Sequence, residues 1–201
     1  MLTEVTRSIA HGLGVKPTVL PMSDQPVRTR VLGPNGWLDF QEYFVRDRAQ
    51  VDVREVRYAG ADTARPAPGV VEAIRAADAV IVCPSNPITS VGPILAVPGI
   101  REALIETAAV VVAVSPIVGS DAVSGPAGRL MGASSLPVSA AGVARAYAPW
   151  LDHLVLDDGD RECVADVRDE GAAPVLAPII MKSREDEIAL ARRVLGEAAS
   201  R

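Results

Sequence analysis

Two short apolar runs, each ending abruptly in a turn rich in proline and serine, constrain the fold of this chain most. Ala79 to Cys83 runs into Pro-Ser-Asn-Pro, and Ala109 to Val114 runs into Ser-Pro-Ile-Val-Gly. Apolar runs of this length between turn residues predict buried strands. From residue 70 onward the pattern alternates helix with strand, which is typical of a parallel α/β sheet.

The turns after these two runs are candidates for a binding site, because ligands of open parallel sheets bind beyond the carboxyl ends of the strands. Small polar side chains and backbone N–H groups in such places hold phosphate oxygens or a base edge. An ordinary strand-ending turn explains the first loop equally well. Neither a P-loop nor a strand-coupled G-x-G-x-x-G occurs in the chain. The predicted phosphate or nucleotide contacts are Ser85, Asn86, Ser90 and Gly92, then Ser115, Gly119, Gly125 and Pro126.

The first 60 residues have a different character. A helix is predicted over the first 14 residues, and Asn35-Gly36 between two strand patterns predicts a hairpin. We expect one domain over residues 1–201, with a hairpin-rich insertion at 18–58 and a βαβ core at 70–201. The strands predicted in the insertion are Thr18–Leu20, Val27–Leu32, Trp37–Val45 and Val51–Tyr58.

Arginines and aromatic residues in this insertion are further candidates. Arg28 and Arg30 lie on one face of a predicted strand, and arginine suits bidentate contacts with phosphate. An exposed edge strand accounts for the same pattern. The aromatic side chains can stack a planar ligand, or form a small core or a dimer contact. They are Trp37, Phe40, Tyr43 and Phe44.

Charge and patterning restrict the class of protein. The net charge of −5 argues against a general binder of nucleic acid or of membrane surfaces. The sequence shows no membrane-spanning run and no cleavable leader, so we predict a cytoplasmic protein. Cys83 and Cys163 lack metal-ligand spacing, and Cys83 is expected to be buried. The acidic run at 157–160 predicts a strand-ending turn, because it lacks the downstream glutamate of a calcium loop.

Several long stretches resemble the CofD family, the 2-phospho-L-lactate transferases, called FbiA in actinobacteria. In the second half they are CPSNPITSVGPILAVPGIREAL, VVAVSPIVGSDAVSGPAGRLM and ASSLPVSAAGVARAYAPWLDHLVLDD. Near the front, PMSDQPVRTRV and GWLDFQEYFVRDR are also similar to that family. The resemblance covers nearly the whole chain and implies a Rossmann-like parallel sheet.

The resemblance implies an enzyme of coenzyme F-420 biosynthesis that uses Mg²⁺. Such an enzyme moves a 2-phospholactyl or phosphoenolpyruvyl group from a guanosine diphosphate carrier to the deazaflavin FO and releases GMP. Which of the two groups is transferred stays open. A homodimer acting on small molecules, without nucleic acid or membrane partners, is expected. Possible substrate contacts are Arg28, Arg30 and Phe44.

The front of the chain departs from the family pattern. Family members are expected to open with a strand, a GGTGGAK-like loop and a helix, followed by a metal-binding aspartate stretch; this sequence has neither. It resembles the C-terminal two-thirds of a member, so the catalytic groups and metal ligands are expected elsewhere. Two alternatives remain: a nucleotide-sugar-binding regulator without transferase activity, and an inactive fragment. The RTRV and FQEYFV stretches favour the transferase.

Overall fold

The computed structural model of the protein describes residues 1–199. The chain begins with helix α1 (Leu2–Gly12), close to the predicted bounds. The backbone N–H and the hydroxyl of Thr3 both donate to Asp24 Oδ1, over 2.7 and 2.9 Å. These two bonds tie α1 to the segment that leads into the first strand.

An antiparallel sheet follows α1, and its strands pair in the order β2-β1-β3. Gly33 pairs with Gly36 across the turn that Pro34 and Asn35 form. Gly36 has a φ of 118°, a conformation that favours glycine. The hairpin predicted from Asn-Gly is therefore confirmed. The strands are β1 (Arg28–Gly33), β2 (Gly36–Asp39) and β3 (Glu55–Ala59).

Two other strand predictions in this region are wrong or too long. Thr18–Leu20 forms no strand; it lies between Pro17 and Pro21, and proline has no N–H to donate to a ladder. The strand predicted from Val51 begins only at Glu55, where pairing with β1 begins.

The strand predicted over Trp37–Val45 stops at Asp39, and a π-helix (Glu42–Arg46) takes its place. The backbone N–H of Asp39 donates to the Glu42 carboxylate over 3.2 Å, which turns the chain out of the sheet. The turn carries Tyr43 fully into the core.

The second half of the chain alternates helices and strands around a parallel sheet in the order β4-β5-β8-β9, beside a small antiparallel pair, β6-β7. This confirms the α/β class. A π-helix (Pro87–Val91) precedes α3, and a 3₁₀ helix (Asp158–Cys163) precedes α7. The other elements are α2 (Val70–Arg75), β4 (Ala79–Val82), α3 (Gly92–Leu95), α4 (Ile100–Glu106), β5 (Val110–Val114), β6 (Ile117–Val118), β7 (Asp121–Ala122), α5 (Ala127–Ala133), α6 (Ala140–Tyr147), β8 (His153–Asp157), α7 (Val164–Asp169), β9 (Ala173–Ala177) and α8 (Arg184–Ala198).

Strand β5 is buried on both faces, which gives the molecule three layers. Val111 and Ala113 belong to the larger core cluster, with side chains of α5 and α6. Val112 and Val114 belong to a second cluster with Leu190 and other side chains of α8. Successive side chains of a strand point to opposite faces, and a parallel strand covered on both faces becomes continuously apolar.

Strand β4 forms one edge of the parallel sheet in the described part of the chain. Ile81 is 40% exposed on it, and Cys83 at its end is exposed, so the prediction of a buried cysteine is wrong. Apolar hollows flank this edge. One of about 300 Å³ lies towards Ile94 and Leu104, and another of about 490 Å³ lies towards Leu195.

Candidate functional site

The loops that follow β4, β5 and β9 line one cleft of about 520 Å³, and two phenylalanines from the segment after β2 complete its wall. Because β4 and β5 are parallel neighbours, their carboxyl ends open side by side. We call this hollow the neutral cleft, since none of its lining residues carries a charge. They are Phe40, Phe44, Pro84, Ser85, Asn86, Thr89, Ser90, Ser115, Pro116, Val123, Ser124, Gly125, Pro126, Ala127, Ile179, Ile180 and Met181.

Asn86 organises the loop after β4. Its Oδ1 accepts hydrogen bonds from the backbone N–H groups of Ile88 and Thr89, over 2.9 and 3.2 Å. Those bonds cap the π-helix, whose first residue is Pro87. The oxygen of the Asn86 amide is thus engaged, and the amide nitrogen is the part available to donate into the cleft. The hydroxyls of Ser85 and Ser90 line the cleft beside it.

Tyr58 of β3 fixes the same loop from behind. Its hydroxyl donates to the carbonyl oxygen of Ile88 over 2.5 Å. Burial raises the pKa of Tyr58 to about 12, so the phenol stays neutral and able to donate. A Cβ on Gly92 would collide with this hydroxyl. Gly92 therefore permits a close approach between loop and sheet, and it does not line the neutral cleft.

Ser115 is committed to the turn after β5. Its hydroxyl donates to the carbonyl of Ile117 over 2.9 Å and accepts from the N–H of the same residue over 3.1 Å. The side chain is 1% exposed. Ser115 shapes the wall of the neutral cleft, whereas the hydroxyls of Ser85, Ser90 and Ser124 are more accessible to a ligand.

Gly119 does not line the neutral cleft. Its backbone N–H donates to Asp160 Oδ1 over 2.6 Å, which anchors the β6-β7 hairpin to the 3₁₀ helix after β8. Asp160 is 2% exposed, and Asp157 Oδ1 accepts from Gly159 N over 3.0 Å. The acidic run thus ends β8, as predicted, but it continues into a 3₁₀ helix where a plain turn was predicted.

Phe40 and Phe44 form the aromatic wall of the neutral cleft. Their rings stack with centroids 5.6 Å apart and planes 11° apart, and Phe44 is 43% exposed. An exposed aromatic face of this kind can stack a planar ring. The other two aromatic residues of the predicted group lie elsewhere: Tyr43 is buried in the core, and Trp37 lies under the Arg57 guanidinium at 4.4 Å.

The structure gathers most of the predicted site residues in the neutral cleft. Gly92 and Gly119 lie outside it, as described above. Arg28 lines a separate hollow with Asp39, and Arg30 pairs with Asp39 Oδ1 over 3.3 Å. Those found together in the neutral cleft are Ser85, Asn86, Ser90, Ser115, Gly125, Pro126 and Phe44.

The apolar segment after β9 also lines this cleft and is not among the predicted site residues. Ile179, Ile180 and Met181 line the neutral cleft opposite the two polar loops. The signal was present, because this segment follows the strand that pairs with β8 and so reaches the same edge of the sheet. This segment has no polar side chain, so a pattern of polar residues does not indicate it.

The neutral cleft supplies donors and stacking surface but no group that titrates near neutral pH. Residues 1–199 contain no cluster of three or more His, Cys, Asp or Glu side chains able to hold a metal ion. The lining of the neutral cleft has no carboxylate, so it does not fit the Mg²⁺ that the resemblance implies. The cleft is suited to binding and orienting a phosphorylated or planar ligand.

No single helix within residues 1–199 is long and apolar enough to cross a membrane. The bent pair Pro87–Leu95 and Ile100–Glu106 meets the length and composition criteria only when taken together, with an angle of 86° between its parts. Several of its side chains, among them Ile88, Val91 and Ile100, are buried in the core.

Solved structures support the fold. A member of the UPF0052 family from Bacillus halodurans has been solved twice. One structure matches with a TM-score of 0.68 at 16% identity, covering 94% of this chain and 65% of that one. The other matches with a TM-score of 0.67 at 17% identity, covering 96% and 66%. At this identity the likeness concerns the fold alone.

Curated relatives are much closer in sequence. A 2-phospho-L-lactate transferase of Methanosarcina mazei is 44% identical over 160 residues, covering 80% of this chain and 52% of the relative. That of Methanocaldococcus jannaschii is 40% identical over 198 residues, covering 96% and 62%. A phosphoenolpyruvate transferase of Kitasatospora aureofaciens is 42% identical over 202 residues, covering 98% and 63%.

The chain thus spans between 52% and 63% of the length of these three relatives. The family described as 2-phospho-L-lactate transferase CofD matches residues 1–193, which is nearly the whole sequence. The match agrees with the parallel α/β fold and with the motifs that form the loops of the neutral cleft. The chain belongs to the CofD family.

Proposed function

We propose that this protein acts in coenzyme F-420 biosynthesis as a transferase of a 2-phospholactyl or phosphoenolpyruvyl group. The donor is guanosine diphosphate-linked, the acceptor is FO, and the neutral cleft binds them. The observation that carries the proposal is the family match over residues 1–193, whose motifs form the cleft loops. Some relatives are named 2-phospho-L-lactate transferase and another is named phosphoenolpyruvate transferase, and they match at 40–44% identity. The choice between the two groups therefore stays open.

The lining of the neutral cleft supports a division of labour. The Asn86 amide nitrogen and the hydroxyls of Ser85 and Ser90 donate to the phosphate oxygens of the donor. The stacked rings of Phe40 and Phe44 offer a flat face for the deazaflavin. Uncharged donors hold the phosphates in place through fixed dipoles, which need no reorganisation during the reaction.

In the proposed reaction, the FO hydroxyl oxygen attacks the phosphorus that bears the transferred group. The new P–O bond forms as the bond to the bridging oxygen of GMP breaks, and the hydroxyl proton is released. This chain's residues contribute positioning and electrostatic stabilisation. No step is assigned to a metal ion, because the lining of the neutral cleft has no carboxylate to hold one. The Mg²⁺ requirement, the homodimer and the cytoplasmic location stay predictions.

Ligand binding tests the proposal without requiring turnover. We expect GDP to bind more tightly than ADP or UDP-glucose in calorimetry, and FO to bind with a change in its own fluorescence. Phe44→Ala should weaken FO at least fivefold and leave GDP within twofold, because only FO uses the stacked rings. A preference for UDP-glucose, without FO binding, would overturn the transferase and support a nucleotide-sugar-binding regulator. No binding of any of these ligands would support an inactive fragment.

A further inference from the structure

A second hollow of about 410 Å³ lies next to the neutral cleft. The two hollows share Phe44, Gly125 and Pro126 in their walls, and we call the adjacent pair the groove. We call the second hollow the arginine end. Its lining residues are Phe44, Arg48, Ala49, Gln50, Ser120, Asp121, Ala122, Gly125, Pro126, Gly128 and Arg129.

The arginine end differs from the neutral cleft in charge. Arg48 and Arg129 line it, and Asp121 is the one carboxylate among its lining residues. The formal charge of the lining is therefore +1, whereas that of the neutral cleft is zero. A guanidinium has the planar fork that matches a carboxylate or phosphate with two parallel hydrogen bonds. The groove thus offers neutral donors at one end and guanidinium groups at the other.

The backbone that presents Arg48 is strained and held by tertiary contacts. Arg48 and Ala49 have φ values of 51° and 53°. This is a left-handed backbone conformation that residues other than glycine rarely adopt. The carbonyl oxygen of Ala49 accepts from Arg129 Nη1 over 2.9 Å and from the Tyr43 hydroxyl over 3.4 Å. The N–H of Ala49 donates to the Tyr43 carbonyl over 2.9 Å. Strain kept in place by surrounding contacts is typical of ligand-binding segments.

We infer that the arginine end binds the carboxylate of a phosphorylated three-carbon acid whose phosphate lies in the neutral cleft. This inference rests on the proposed function and names the part of the groove that recognises the transferred group. Both acids in the relatives' names, 2-phospholactate and phosphoenolpyruvate, carry the carboxylate on the same carbon as the phosphate. In this assignment one ligand reaches both hollows, with its phosphate among the neutral donors and its carboxylate facing Arg48 and Arg129.

A pair of small ligands tests this assignment on the chain as it exists. Phosphoenolpyruvate carries the carboxylate, whereas glycerol 2-phosphate has its phosphate on the same carbon of a three-carbon chain but no carboxylate. We expect calorimetry to show phosphoenolpyruvate binding at least tenfold more tightly. Arg48→Gln and Arg129→Gln should each reduce that ratio to about twofold, with the affinity for glycerol 2-phosphate nearly unchanged. Arg192→Gln, on the exposed side of α8, serves as the matched control and keeps the full ratio.

Arg129→Lys separates recognition from folding, because lysine keeps the charge and can still donate to the Ala49 carbonyl. We expect it to restore part of the ratio that Arg129→Gln loses. Any of three results would overturn the inference. The native chain could bind both ligands equally, it could fail to bind phosphoenolpyruvate at millimolar concentration, or both glutamine variants could keep the native ratio of affinities. GDP titrations report on the proposed function separately. If GDP binds but the ratio of the affinities for phosphoenolpyruvate and glycerol 2-phosphate does not depend on the two arginines, only this inference is overturned. If that ratio depends on the arginines but GDP does not bind, only the nucleotide assignment is overturned.

Discussion

Asn86 combines an observed capping contact with a proposed binding contact in one side chain, and substitutions at this position can separate the two. Its Oδ1 caps the π-helix through the N–H groups of Ile88 and Thr89, while its amide nitrogen is assigned to a phosphate oxygen of the donor. Asn86→Asp keeps the capping oxygen and removes the donor. Asn86→Ala removes both. The two variants are therefore expected to differ in stability, whereas both should weaken GDP binding.

The magnitudes follow from these contacts. Aspartate and asparagine are about equally good caps, so Asn86→Asp should leave the free energy of unfolding within about 0.5 kcal/mol, whereas Asn86→Ala should lower it by about 1 kcal/mol. A hydrogen bond to a charged group contributes about 1.5–3 kcal/mol. We therefore expect Asn86→Ala to weaken GDP binding roughly 10- to 150-fold. Asn86→Asp should weaken it further, since its carboxylate repels the phosphate.

Urea denaturation measures the stability, and calorimetry with GDP measures the affinity. Asn86→Ser serves as an uncharged control for Asn86→Asp. Serine caps a helix, but its side chain is too short to replace the amide donor. We expect it to keep the stability and to lose affinity as alanine does. Native-like GDP affinity in Asn86→Asp would refute the reasoning, since that variant lacks the donor. Asn86 would then be a capping residue alone.

Two further predictions concern Tyr58 and its neighbour. Burial raises the pKa of Tyr58 from 10.0 to about 12 in the folded protein. Below pH 10 the phenol is protonated in both the folded and the unfolded protein, so the contribution of Tyr58 to the free energy of unfolding is complete there. That contribution is lost as the pH rises from 10 to 12, where the phenol ionises in the unfolded protein first. Tyr58→Phe should flatten the fall in unfolding free energy over that interval, and identical profiles would contradict this. Gly92→Ala should destabilise the fold by about 1–3 kcal/mol through collision with Tyr58, whereas Gly132→Ala, in open space on α5, should be neutral or slightly stabilising in thermal unfolding. Equal melting temperatures for the two glycine variants would argue against the collision.

The sequence predicted the parallel sheet well because its central strands are locally unambiguous. The run ending at Val114 is β-branched and buried on both faces, so no polar alternation weakens the signal. The segment after β2 was mispredicted for the opposite reason. Its apolar and polar residues suit a strand, and only the contact between Asp39 and Glu42 and the burial of Tyr43 select the π-helix. The burial of Tyr43 depends on tertiary contacts, which a local pattern does not show, whereas the contact between Asp39 and Glu42 is local.

The site was predictable as far as strand ends define it. Asn86 and Ser85 follow β4 directly, so the rule that ligands bind at carboxyl ends selects them, and both line the neutral cleft. The arginine end was not predictable in this way, because Arg48 and Arg129 lie 81 positions apart on different elements. Sequence likewise cannot show that the hydroxyl of Ser115 is occupied within its own turn.

The exposed edge at β4 affects how this chain behaves at high concentration. No strand of residues 1–199 pairs with its outer side, so its outer N–H and C=O groups form a row open to another strand. Ile81 is exposed along that row, and apolar hollows lie on both sides of it. Such an edge promotes strand pairing between molecules, and the thiol of Cys83 at its end can turn a brief encounter into a covalent link. Preparations of this chain should therefore be kept dilute and reduced, so that association through β4 is not mistaken for a native assembly.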